Sequence, residues 1–79
     1  MAQYYFHTRD NGEITEDDIG LDLPDFPAVK AVAATSLAEL ALDVLPGSEE
    51  RCLGVDVHDD RDRMVLTTEL LFKVVVAGA

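Results

Sequence analysis

The chain has no tryptophan, one cysteine, two histidines and only six basic residues in 79, and each shortage closes off a class of protein. A single cysteine, Cys52, excludes an intrachain disulfide and a paired-cysteine zinc site within one chain. Arg9, Lys30, Arg51, Arg61, Arg63 and Lys73 stand singly, and sixteen acids outweigh them to a formal net charge of −10. A field of that sign repels phosphate backbones and anionic headgroups, which argues against nucleic-acid and membrane partners and leaves a basic protein as the complementary one. No apolar run reaches the length of a bilayer span, about 20 residues, since Lys73 interrupts LLFKVVVAGA. MAQYYFHTRD lacks the basic segment and apolar core of a secretory signal, so a cytoplasmic protein is expected. The five glycines are isolated and form no phosphate-cradling loop.

What is present describes a folded domain. Hydrophobic residues make up 48% of the chain and charged residues 28%, a balance too apolar for a disordered tail. Residues 1–79 form one small domain, and a domain of this size buries only roughly 60% of the surface its unfolded chain exposes. Self-association adds burial that a single copy lacks, so a homodimer is expected.

The segment QYYFHTR alternates loosely and reads as a strand, with Tyr4 and Phe6 on one face and Tyr5, His7 and Arg9 on the other. Asp10-Asn11-Gly12 is a hairpin signal, because Asn and Gly tolerate positive φ. A second short strand is expected within Glu13 to Leu23, with Ile19, Leu21 and Leu23 alternating against Gly20 and Asp22. Seven of the sixteen acids fall between Asp10 and Asp25. Leu23-Pro24-Asp25 then starts a helix: Pro24 holds the residue before it extended, Asp25 caps, and Pro27 is tolerated in the first turn. The helix runs from Phe26 to about Leu45, where Pro46-Gly47 stops it. At 100° per residue, Val29, Ala33, Leu37, Leu40, Ala41 and Val44 share one arc, with Thr35, Ser36, Glu39 and Asp43 opposite. Val32 and Leu42 lie on or beside the polar arc and read as ordinary exposed apolar residues.

Arg51 to His58 alternates with a period of two, placing Leu53, Val55 and Val57 on one face and Cys52, Gly54, Asp56 and His58 on the other. A turn at Asp59 to Asp62 returns the chain as a strand from Arg63 to about Phe72, with Met64, Leu66, Thr68, Leu70 and Phe72 toward the core. The predicted class is α+β, in the order β-β-α-β-β: a four-stranded antiparallel sheet with one helix packed on one face.

YYFHTRDNG, the acidic link into LPD and an alanine-rich helix, and the late hairpin VDVHDDRDRMVLTTELLF resemble a family of short bacterial proteins, a domain of unknown function common in rhizobia-like soil bacteria. The resemblance spans nearly the whole chain and implies the fold, with no activity attached. LPDFP, from Leu23 to Pro27, is also similar to HicB-like antitoxin domains over the first half of the chain, which implies a partner-binding domain.

The outward sheet face offers Tyr5, His7, Arg9, Asp56 and His58 as a candidate partner surface, since rings with a polar handle are enriched where partners dock. His7, Cys52, Asp56, His58 and Glu69 are the residue types a transition metal requires, but only Asp56-x-His58 has close spacing, as any polar strand face does. Neither Asp10 to Leu21 nor Asp56 to Thr67 has the Gly and Glu of a calcium loop. Cys52 with His7 or His58 is the one thiol–imidazole option, Ser36 and Ser48 lack a nucleophile elbow, and the carboxylates lie in solvated turns. The residues therefore favour a non-enzymatic protein-binding module with no cofactor and no resident metal. The alternative is a metal- or small-ligand-binding regulator that uses the same sheet face.

Overall fold

The computed structural model describes residues 2–78. Its elements are β1 (Ala2–Asp10), β2 (Glu13–Thr15), β3 (Leu21–Leu23), α1 (Phe26–Val44), β4 (Glu50–Asp59) and β5 (Met64–Lys73). All pairings are antiparallel. The spatial order is β2-β1-β4-β5, with β3 also pairing β1. The α+β class and the single helix agree with the sequence reading, but the second strand is two pieces, so the sheet has five strands rather than four. Residues 16–20 bulge away between those pieces, and Ile19 stands exposed outside both. The break has a chemical cause: Asp17, and no strand, satisfies the middle of the β1 edge.

Local signals explain the ends of the elements. The Asn11-Gly12 loop has φ of 51° and 87° and joins the Asp10↔Glu13 pair, the two-residue hairpin that needs positive φ at both positions. Asp25 caps α1 by accepting the Ala28 N–H at 2.9 Å, with Pro27 in the first turn. At the far end the Leu45 N–H reaches the Ala41 carbonyl, and Gly47 takes a φ of 88°. The Ser48 hydroxyl donates to the Val44 carbonyl and receives the Arg51 guanidinium, which pairs bidentately with Asp10 at 2.7 and 2.8 Å. The helix end is thereby tied to β4 and to the first hairpin.

The core is one layer thick. Val29 and Ala33 of α1 are buried against Phe6, Val55 and Val57, with Tyr4, Leu23, Val32, Leu37 and Leu66 packed around them. Leu53 is also fully buried. Val32 therefore packs partly buried against the core beside Leu23, contrary to the wheel. Leu42 is 79% exposed, as the wheel predicts. The strand faces follow the predicted alternation except at Met64, which leaves the core side. Val57 pairs with Leu66 but His58 pairs with Met64, so Val65 is an extra residue. Such a bulge turns the residue beyond it to the opposite face.

Leu53→Ala is predicted to cost about 2–5 kcal/mol, the usual consequence of emptying a filled aliphatic site. Leu42→Ala should change stability by less than about 0.5 kcal/mol. Urea unfolding of both variants checks the difference, with an unchanged m value showing that the denatured state is comparable.

Candidate functional site

The helix covers one face of the sheet and leaves the other open. On that open face β1 presents Tyr5, His7 and Arg9 and β4 presents Asp56 and His58, all five residues expected from the sequence. The register sets Tyr5 opposite His58, His7 opposite Asp56, and Arg9 opposite Gly54.

Four of these residues fall into two groups. Arg9 and Asp56 engage each other: Arg9 Nε and Nη2 donate to the two Asp56 oxygens at 2.8 and 3.2 Å. Nη2 also lies 3.4 Å from both Thr67 Oγ1 and the Thr68 carbonyl. The guanidinium crosses above Gly54, where a Cβ would collide with Arg9 and sit 2.9 Å from the Thr68 oxygen. Gly54 is thus the vacancy through which a side chain of β1 reaches β5. Burial pushes the Asp56 carboxyl up, but the bonds from Arg9 and Thr67, with the nearby charges, outweigh it and hold the group below the usual carboxylate range.

His7, His58 and Asp17 form the second group. The imidazoles meet edge to face with centroids 4.9 Å apart. The Asp17 N–H donates to His7 Nδ1 at 3.0 Å, which makes that nitrogen an acceptor and places the proton of neutral His7 on Nε2. His58 Nδ1 lies 2.9 Å from Asp62 Oδ1. Asp17 in turn accepts from Phe6 N–H at 3.0 Å through one oxygen, and from Ile19 and Gly20 N–H at 3.0 and 3.2 Å through the other. Burial pushes its carboxyl up, yet the three N–H donors and His7 prevail and hold it low. Asp17 was not singled out from the sequence. A carboxylate two and three residues ahead of Ile19-Gly20 is the local signal for such a turn.

Around this pair the surface forms an open cleft of about 540 Å³ lined by His7, Ile14, Glu16, Asp17, Asp18, Asp56, His58, Asp62 and Met64. Ile14 and Met64 contribute exposed apolar surface, 59% and 57%, and Met64 is present because of the Val65 bulge. Asp62 is brought over His58 by the β4–β5 turn, in which Asp62 has a φ of 59°. That turn closes tightly on Asp59, which accepts the Arg61 and Arg63 N–H groups at 2.9 Å. The cleft excludes two members of the candidate surface. Arg9 is committed to Asp56, and Tyr5 packs toward Gly20, where a Cβ would come within 2.9 Å of its ring.

The wider set of His7, Cys52, Asp56, His58 and Glu69 does not converge. Cys52 lies six residues from His58 along β4, about 20 Å away at strand rise. Among the described residues no three His, Cys or carboxylate groups are placed to hold one metal ion. No helix among them is long and apolar enough to cross a membrane.

A sheet covered by one helix on one side and carrying an acidic, imidazole-lined cleft on the other defines a small α+β domain with a single open face. Residues 3–71 match DUF6894, a domain of unknown function, and the chain belongs to that family. No curated protein and no solved structure matches it.

The low carboxyls fix the sign of the pH dependence. Their contribution to stability is complete above the unfolded-chain value of about 3.9 and is lost as pH falls through the lower folded values. Asp17→Asn replaces one accepting oxygen with a donor facing an N–H, so stability at pH 7 should drop by about 1–3 kcal/mol. Its decline with acid should also be shallower than that of the wild type, which urea midpoints from pH 7 to pH 2.5 measure, about 2.5 being well below the unfolded value.

Proposed function

We propose that the chain is a cytoplasmic, non-enzymatic protein-interaction module that binds a basic segment of another protein in the cleft on its open face, and that it does so as a homodimer. The observation that carries the reading is the cleft itself. Glu16, Asp18 and Asp62 are exposed on its rim with no Lys or Arg bonded to them among the described residues, whereas Asp10, Asp56 and Asp59 are each bonded to an arginine. The carboxylates of Glu16 and Asp18, that of Asp62 held 2.9 Å from His58, and the apolar Ile14 and Met64 suit a lysine or arginine side chain, whose stem needs an apolar floor and whose head needs charge. The resemblance of the first half to HicB-like antitoxin domains points to the same kind of role. Support for self-association comes from the thin core and from apolar surface left exposed at Leu71, Val75 and Val76.

A fluorescent lysine- and arginine-rich peptide titrated with the protein tests the cleft. Binding is expected, weakening as salt rises, and a matched acidic peptide should not bind. The combined change Glu16→Gln, Asp18→Asn and Asp62→Asn should weaken it about tenfold, from three exposed charges worth about 0.5 kcal/mol each. Equal affinity in that variant, or no binding at all, rejects the reading.

A further inference from the structure

We infer that two copies pair through the free edge of β5, antiparallel and in one register, with Leu71 of each copy on the two-fold axis. This rests on the homodimer part of the preceding reading and adds the surface and the alignment. Among the described residues no strand pairs with the outer edge of β5, which is ten residues long. The other edge of the sheet is divided between two three-residue strands.

The backbone sets which β5 groups face outward. The Val74 N–H donates to the Glu49 carbonyl at 2.7 Å, and both Cys52 backbone groups bond to Asn11 on the β1 side. Alternation then turns the N–H and carbonyl of Leu70 and Phe72 toward β4. Those of Glu69, Leu71 and Lys73 turn to the open edge. A two-fold axis between antiparallel strands sets one residue opposite its own copy. With Leu71 on the axis, Glu69 faces the second copy's Lys73, and Lys73 faces the second copy's Glu69. The pairing bonds then fall on the three residues whose groups point outward.

Other registers lose this match. An axis at Glu69 sets two carboxylates together, an axis at Lys73 two ammonium groups, and like charges directly opposite are destabilising. The Leu71 register also suits both faces. On the open face Leu71, 74% exposed, meets its own copy. On the helix face Leu70 meets Phe72, and both residues line an apolar groove of about 550 Å³ with Ala38, Ala41, Leu42 and Leu45. The axis brings the two grooves side by side, so Leu42 gains apolar neighbours that one copy does not provide.

Sedimentation equilibrium at about 100 μM, a concentration that fills a dimer of micromolar Kd, should give a dimer for the wild type. Glu69→Lys sets lysine against lysine at two places and should weaken association at least about 10-fold. Combining Glu69→Lys with Lys73→Glu should restore it, and because Glu69 also lies 4.0 Å from Arg9 Nη1, circular dichroism and urea unfolding of each variant check that the fold is kept. In a Cys52→Ser background, Leu71→Cys should form a disulfide-linked dimer with oxidised glutathione, because directly opposed residues lie within disulfide reach. Val65→Cys should not. A monomeric wild type rejects self-association and this proposal with it, leaving the peptide-binding result untouched. A dimer indifferent to Glu69→Lys, or one that links at Val65→Cys and not at Leu71→Cys, rejects the edge and register while homodimerisation stands.

Discussion

The guanidinium of Arg9 crosses the central strand at Gly54, the only position in β4 without a Cβ, bonds to Asp56 of that strand and approaches the β5 backbone beyond it. The helix cannot brace this half of the molecule, since it lies on the opposite face. Three strands are therefore held together there by a charge-assisted cluster with carboxylate and guanidinium paired at two points, a geometry stronger and more directional than neutral bonds. Both groups are half-buried, so solvent screens them less than a surface pair. The same arrangement withdraws Arg9 and Asp56 from recognition and leaves the imidazoles and the rim acids as the chemically available part of the face.

The two faces divide the work of the sequence. Phe6, Val29, Ala33, Val55 and Val57 supply a core that one helix can close. The Arg9–Asp56 pair and Asp17 organise the uncovered side without apolar burial. Each depressed carboxyl there reports a bond that exists in the folded chain alone, so its stabilisation is lost as pH falls through the lowered folded value. Local order in the cleft follows from this, because Asp17 fixes the imidazole orientation of His7 and the path of residues 16–20 with one side chain.

Much of the fold was legible in period and punctuation. Leu53, Val55 and Val57 alternate with polar neighbours, Asn11-Gly12 marks its hairpin, and Asp25 with Pro27 marks the helix start, because each feature is set by residues adjacent in sequence. What was hidden depends on residues far apart. Nothing in the chain near Phe6 announces that Asp17 will accept its N–H, so the acidic stretch read as one strand in place of two. Met64 continues the core alternation in sequence and leaves it in space, because one extra residue at Val65 reverses the parity. The five surface residues were found on the correct face by alternation. That Arg9 and Asp56 satisfy each other across Gly54 required the register between strands, and so did the meeting of His7 with His58.

The divided strand opposite β5 has a consequence for how far any edge pairing extends. Asp17 occupies the middle of that edge by taking the Phe6 N–H, and three-residue strands with a bulge between them make a poor template for an incoming chain. The described sheet therefore has a strand valence of one. A molecule with two open edges polymerises when conditions favour pairing, whereas a molecule with one terminates after a single addition. A side chain that serves a turn thus also interrupts one edge of the sheet.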